Sequence, residues 1–494
     1  MQRLSKSRYL SGLQCDKRVY LETHAPFLAT PPDEETRAIL DSGTDIGVLA
    51  RARFPGGVLV DAGHRQTQQA LEWTTRLLAD DRIPAIFEAA VVAHGILIRT
   101  DILERIVGEA GTTVGWRVIE VKSSTRKKDI HLDDLALQMH VLQGAGLSVL
   151  QASIMHVNTQ YVFAGEPLDL DQLFTIRDVS EEVAARLVML PARVQRMVTL
   201  LDQPAPPLIE PGQHCHSPYA CPYWVQCTKE KSSRWLHHLP GNLRNLQELF
   251  EQGIDSIDAL PPGIRLTPLQ ERVRANVEWR SSELVRVLRK VRYPVHHLDF
   301  ETIMPAVPRF PGTCPYQTVP VQWSNHIESE TGEIIHHEYL SSGIEDPREE
   351  LVERLLESLG EAGTICVYST FEHAVLDALA ERYPRRKTAI GAVQKRLWDF
   401  CEVLQTHYYH PDFNGSYSLK AVLPAILPSL SYADLAIRNG ATAAREYLRM
   451  AFEMQDWVER DRIAAALRAY CARDTLAMLE LRRALLHRIE SPLA

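Results

Sequence analysis

Three groups of residues in this sequence have the types and spacing to do chemistry. In 116-WRVIEVKS-123, Glu120 and Lys122 stand two apart on an apolar, β-branched run, so in a strand both side chains leave the same face. Asp101, in the preceding run ILIRTDILERIV, offers that face a second carboxylate. Two carboxylates and a backbone carbonyl suit a hard divalent ion such as Mg2+ or Mn2+, and an adjacent lysine can orient a water or stabilise charge developing on a phosphate. In 295-VHHLDFETI-303, Asp299 and Glu301 likewise share a face, and far downstream Tyr470 and Asp474 stand four apart on one side of a helical pattern over 461–486. Third, 214-HCHSPYACPYWVQC-227 spaces Cys215, Cys221 and Cys227 as C-x5-C-x5-C, in a segment too rich in Pro, Tyr and His for a core strand. Three thiols are either an incomplete ligand set that needs a partner from elsewhere, or buried cysteines that lie close together. His214 and His216 flank the first of them as alternative ligands or as simple loop residues.

The elements that must position these residues follow from periodicity. Residues 85–107 form two apolar runs meeting at His94-Gly95, which predicts a hairpin; the run 116–123 follows, then helical spacing over 132–146 and a strand-like 149–158. Three strands, a helix and a strand thus precede LLDQPAPPLIEPGQH, whose prolines stop any helix and lead into the cysteines. A first unit is expected over 1–231. Residues 232–292 are mostly helical in pattern and predict a connector. Within it NLQELFEQGIDSIDALPPG reads as a helix, a Gly turn and a second helix, with a hint of the helix–hairpin–helix that grips nucleic-acid backbone. Arginines recur at helical spacing through 265–292, either a local nucleic-acid contact or the solvated face of a linking helix. Strands return over 293–494: near 318–328 and 333–340, then a helix at 347–359, a strand at 363–369 and a helix at 371–382. The expected class is a multidomain α/β protein.

A chain of 494 residues is too long for one hydrophobic core. No apolar run approaches the ~20 residues of a membrane span, and the N-terminus has no apolar signal region, so a cytoplasmic protein is expected. Eight cysteines scattered over such a length do not make a disulfide framework, and a local group of them in a reducing compartment favours metal or redox chemistry. The 54 Lys and Arg against 63 Asp and Glu give a formal charge of −9, so any contact with nucleic acid must be local. No G-x-x-x-x-G-K-[ST] phosphate loop occurs, which argues against an ATP-driven motor.

Asp101, Glu120-x-Lys122 and Gln138 on the following helix together resemble the PD-(D/E)xK nuclease core of the RecB type, over roughly residues 1–230. Glu88 matches a further acidic position of that superfamily, assisting the metal or capping the face. RecB-like nucleases of the AddB and CRISPR-associated types bracket this core with one N-terminal and three C-terminal cysteines on a 4Fe–4S cluster. The resemblance therefore implies a cluster on Cys15, Cys215, Cys221 and Cys227, stapling the two ends of the domain, with four-cysteine zinc as the structural rival. Many relatives also carry a metal-binding His in a G-x-x-x-H pattern before the core. Here 42-SGTDIGVLARARFPGG-57 holds none, and Gly47 or a neighbour takes its place.

The strand D-x-E of Asp299 and Glu301 and the helical Y-x-x-x-D of Tyr470 and Asp474 look like motifs I and III of the tyrosine-type DEDD exonucleases, on an RNase H-like fold. Family members place an Asp on the helix after the fourth strand; this chain offers Glu372, with Asp377 as a less apt stand-in. The resemblance implies divalent ions held by Asp299, Glu301, Glu372 and Asp474, with Tyr470 positioning water. Asp399 and the segment around Lys420 resemble the same branch, Lys420 meeting a backbone phosphate or simply opening a helix. The remaining Cys314, Cys366, Cys401 and Cys471 read as free thiols. Over most of its length the chain resembles a bacterial family joining these two domains. That implies metal-dependent hydrolysis of DNA, exonucleolytic on single-stranded ends, in repair, recombination or defence, with a separate helicase or other partner. Two alternatives are a nucleic-acid-binding scaffold with one or both sites inactive, and a ribonuclease acting through the C-terminal domain.

Overall fold

Runs of β-branched and apolar residues become the strands of two mixed sheets, and the alanine- and leucine-rich C-terminus becomes one long helix. The computed structural model describes residues 4–63, 66–109, 111–241 and 246–490. Contacts divide the chain into two units, Met1–Glu230 with Pro305–Tyr316, and Lys231–Met304 with Gln317–Ala494. No helix among the described residues is long and apolar enough to cross a membrane.

Unit 1 begins with β1 (Leu4–Ser5), α1 (Lys6–Gln14), α2 (Asp16–His24) and α3 (Glu34–Arg51). There follow β2 (Val58–Leu59), α4 (Thr67–Leu78), β3 (Ala85–Ala93), β4 (Ile96–Val107) and β5 (Thr113–Lys122). The unit continues with α5 (Asp129–Gly144), β6 (Val149–Val157), β7 (Phe174–Asp178), α6 (Ser180–Leu187) and α7 (Leu190–Leu201). His94 and Gly95 both have positive φ, 52° and 75°, as a two-residue hairpin turn requires. β3, β4 and β5 are antiparallel, and the crossover helix α5 makes β6 parallel to β5. Because α5 buries Leu132, Leu135, Leu137 and Leu142, it is fixed as a core helix, and its polar Asp134 and Gln138 are buried with it. Ala306, from the segment 305–316, is buried in the unit 1 cluster that also contains Ile46, Phe87 and Ile119.

Unit 2 holds β8 (Val295–Ile303), β9 (Val319–Glu328), β10 (Ile334–Leu340), α8 (Arg348–Leu359), β11 (Thr364–Val367), α9 (Phe371–Arg382) and β12 (Leu397–Asp399). It ends with α10 (Phe400–His407), α11 (Leu419–Ile426) and α12 (Trp457–Glu490). The sheet runs β10-β9-β8-β11-β12; β8 to β10 are antiparallel, and β11 joins β8 in parallel. Residues expected as a connector fold within this unit: Leu236, Ile257, Val273 and Leu288 share a core with Val295, Phe400 and Met478.

The helical arginine pattern over 265–292 is not a continuous helix, which corrects that expectation. Helix Pro268–Ala275 ends at Asn276, whose φ of 53° is left-handed, and Trp279–Arg280 pairs as a strand with Tyr408–Tyr409. Arg272 stacks 3.7 Å above the Trp279 ring and donates to the Gln405 carbonyl, so this arginine is engaged within the fold. Only Leu284–Leu288 is helical beyond it. In the other expected helix pair, helix Leu246–Glu251 and Gly253 at φ 79° are followed by one 3-10 turn, Ile257–Ala259; residues 242–245 lie outside the described residues.

Glu328 and Arg482 form a buried ion pair at 2.5 Å, with 6% and 2% of their side chains exposed, and Arg483 reaches the other oxygen at 2.8 Å. Glu328→Ala strands a guanidinium out of water and is expected to cost about 3–5 kcal/mol. Denaturant unfolding followed in unit 2 checks this; a loss under about 1 kcal/mol would mean that water reaches Arg482.

Candidate functional site

In unit 1 the structure brings Asp101, Glu120, Lys122 and Gln138 together. The Lys122 ammonium lies 2.5 Å from Glu120 Oε1, and the Gln138 amide donates to Glu120 Oε2 at 2.6 Å. Asp101 Oδ2 accepts from the Val121 N–H at 2.7 Å, which fixes it beside the strand that carries Glu120. Two members of this network were not foreseen. Asp134 accepts from Gln138 at 2.8 Å and from Lys122 at 3.2 Å, and Lys6 Nζ lies 3.2 Å from both Glu120 oxygens. Asp134 was findable, standing four residues before Gln138 on one helix face; Lys6 has no local signal.

Burial raises Asp101 to about 7, the Glu120 charge adding to it. Burial pushes Glu120 the same way, but Lys122 and Lys6 outweigh it and hold this carboxyl well below the usual range. A cleft of about 360 Å3 opens on the pair, lined by Glu88, Arg51, Gly47 and Ser123 among others. Glu88 pairs with Arg51 at 3.2 Å and has a φ of 56°, a conformation that costs a non-glycine residue of the order of 1 kcal/mol or more and recurs at functional sites. Gly47 borders the cleft where the resemblance expects histidine, and a Cβ there meets nothing within 4 Å.

In unit 2, β8 contributes Asp299 and Glu301, α9 Glu372, and α12 Tyr470 and Asp474, all lining one cleft of about 490 Å3. Asp377 is not among them; it bonds His373 and Gln394 at the surface. Among the described residues, the one trio of His, Cys, Asp or Glu ligand atoms lying within 4.8 Å of one another is Asp299, Glu301 and Cys471. Cys471, read from sequence as a free thiol, is buried with its sulfur 3.6 Å from Asp299 Oδ2. Its place between Tyr470 and Asp474 on α12 was the available signal. Tyr432, unforeseen, donates to Asp474, and Lys420 Nζ stands 3.4 Å from the Tyr470 hydroxyl. Asp399 accepts from the Glu402 N–H as the cap of α10.

Burial, then the charges of Asp474, Glu301 and Glu372, drive Asp299 well above its ordinary range, and burial followed by Asp474 does the same to Glu301. Burial also lifts Asp474 to about 6 and Glu372 to about 7. The unfolded chain releases these protons near pH 4, so between about pH 4 and 7 the folded state binds more protons and unit 2 loses stability as pH rises. A divalent ion held by the ionised carboxylates would reverse the loss. In EDTA, the melting temperature of unit 2 is expected to be lower at pH 8 than at pH 5, with Mn2+ raising it more at pH 8. A melting temperature that climbs across that window and ignores Mn2+ would contradict the reading.

The cysteines are the third group of residues singled out by the sequence. Cys15 sits at the break between α1 and α2, and Gln14 beside it donates to the carbonyls of His214 and Tyr219, both at 2.7 Å. The Cys221 N–H donates to the Cys215 carbonyl at 2.8 Å. Burial raises the thiols of Cys215, Cys221 and Cys227, Cys221 to about 11, and Cys15 adds to the rise at all three. All are free thiols. No three of these sulfurs make a trio as tight as that of Asp299, Glu301 and Cys471. His214 Nε2 stands 3.6 Å from the Cys215 sulfur, while His216 packs against Trp224 with its ring tilted 55°.

No curated protein matches this chain. Residues 296–418 match a family model described as a domain of unknown function (DUF2779), a stretch that carries Asp299, Glu301 and Glu372 and stops short of Tyr470 and Asp474.

Proposed function

We propose that this chain is a metal-dependent nuclease with two hydrolytic sites, a PD-(D/E)xK core of the RecB type in unit 1 and an RNase H-like, DEDD-type exonuclease site in unit 2. The observation that carries the reading is the convergence of Asp299, Glu301, Glu372 and Asp474 on one cleft from a strand and two helices spread over 176 residues of sequence (474 − 299 + 1). Clustered carboxylates at raised pKa are unfavourable unless a cation is to be bound. Divalent ions on these residues, and on Asp101 and Glu120, supply charge stabilisation to phosphodiester oxygens and a readily deprotonated water. Lys122, steadied by Glu120 and Asp134, presents an ammonium to a phosphate, and Gln138 orients Glu120. Tyr470, with Lys420 beside it, orients water or a strand end.

For Cys15, Cys215, Cys221 and Cys227 the resemblance favours a 4Fe–4S cluster, with four-cysteine zinc as the rival. Single-stranded DNA ends are the substrate the resemblance favours, with strand separation left to a separate helicase or a repair or defence partner in the cytoplasm. The rival reading, a nucleic-acid-binding scaffold, draws on the lack of a histidine over 42–57, where Gly47 or a neighbour takes its place, and on Glu372 in place of aspartate.

The experiment is cleavage of end-labelled DNA and RNA, single- and double-stranded, in Mg2+ or Mn2+. In an Asp299→Asn background, which leaves unit 1 to act, Lys122→Ala is expected to lower cleavage by about 10²-fold or more while leaving the visible cluster spectrum intact. Equal rates with and without Lys122 would remove the E-x-K site. Binding without cleavage in the parent chain would favour the scaffold, and cleavage of RNA alone the ribonuclease.

A further inference from the structure

Glu120 already carries a cation that the nuclease resemblance does not assign. Lys6 Nζ lies 3.2 Å from Oε1 and 3.2 Å from Oε2 of Glu120, and 3.6 Å from Asp134 Oδ1. This placement is built into the fold. β1 pairs in parallel with Ile96 and Leu97, at the start of the strand that carries Asp101, and Ser5 caps α1 by accepting from the Arg8 N–H. The chain direction then sets Lys6, the first residue of α1, over the carboxylates.

An ammonium bridging both oxygens of Glu120 competes for the lone pairs that a divalent ion needs there. The charge balance points the same way. Two ammoniums, Lys6 and Lys122, already face Glu120 and Asp134, so a divalent ion arriving at Glu120 meets less repulsion once Lys6 has withdrawn. Asp134 gives a displaced Lys6 a partner, and the Lys6 side chain keeps 21% of its surface exposed to water.

We propose that Lys6 is a resident counter-ion of the unit 1 site: it holds Glu120 and Asp134 in the absence of a divalent ion, withdraws from Glu120 when one binds, and so sets the metal affinity of the site. The proposal rests on the nuclease reading of unit 1 and makes Lys6 a positioning residue. A purely structural salt bridge predicts the opposite sign, since its removal loosens Glu120 and weakens metal binding.

The test is Mn2+ titration by electron paramagnetic resonance of the full chain carrying Asp299→Asn and Asp474→Asn, which silence the second site. Lys6→Met and Lys6→Gln are expected to bind Mn2+ about tenfold tighter than the Lys6 parent, and Lys6→Arg to bind as the parent does. Equal or weaker binding by both neutral variants, with circular dichroism unchanged, overturns the proposal. Absence of Mn2+ binding in the parent and every variant removes the nuclease reading of unit 1 and the proposal with it. A second measurement needs no variant at Lys6: acetylation of Lys6 in the parent, followed by mass spectrometry, is expected to accelerate when Mn2+ is added. A rate unchanged at saturating Mn2+ overturns the proposal even if the neutral variants fail to fold.

Discussion

Asp299→Asn and Asp474→Asn, each in a Lys122→Ala background, are expected to lower the remaining digestion of end-labelled strands by about 10²–10³-fold. The two residues come from β8 and α12 and meet only through the fold. The Asp474 charge is a leading cause of the raised Asp299 pKa, so the two share one electrostatic site. Loss of either removes a carboxylate that the other needs to hold an ion, and the two effects should not add. Tyr470→Phe is expected to cost only about tenfold, because its hydroxyl orients water and holds no metal. Metal affinity separates the roles: Mn2+ binding falls in the two asparagine variants and stays in Tyr470→Phe. Unchanged digestion and affinity in all three would end the exonuclease reading and leave an RNase H-like binding module.

The other large effect belongs to Cys15. Protein prepared without oxygen is expected to be brown, with iron and sulfide in near-equal amounts, and Cys15→Ser to lose that colour. On the proposed cluster Cys15 would join α1 and α2 to a loop some 200 residues downstream, a closure to which Gln14 adds through the His214 and Tyr219 carbonyls and the Thr30 N–H through the Pro222 carbonyl. The substitution thus removes a ligand and a staple together. Loss of a covalent closure of this kind costs about 2–5 kcal/mol where it has been made by a disulfide, and a similar loss is expected for unit 1. Limited proteolysis should cut unit 1 first. Stoichiometric zinc without iron, or a spectrum unchanged in Cys15→Ser, would contradict the assignment.

Much of both acidic sites was legible because it obeys short periods. Glu120 and Lys122 share a face by strand alternation, Asp101 arrives through the His94-Gly95 hairpin, and Tyr470 and Asp474 meet on one helix face. What was not legible depends on partners remote in sequence. Lys6 reaches Glu120 across 114 positions through β1, a two-residue strand with no pattern of its own. The arginine-rich stretch kept a helical period, yet pairing of Trp279–Arg280 with Tyr408–Tyr409 overrode it. Residues 305–316 had no period to read; their place in unit 1 comes from bonds such as Gly312 N–H to the Phe163 carbonyl. Cys471 was visible on the correct helix face, but a cysteine among apolar residues more often packs than ligates.

The central claim is that both clefts hydrolyse phosphodiester bonds with divalent ions. Its most direct test is one time course on end-labelled single-stranded DNA with Mn2+, comparing the parent chain with the Glu120→Gln, Asp299→Asn double variant, both prepared without oxygen. The account predicts metal-dependent shortening by the parent, abolished by EDTA, and no shortening by the double variant. Equal digestion by the two proteins, or none by the parent in any metal, would contradict it.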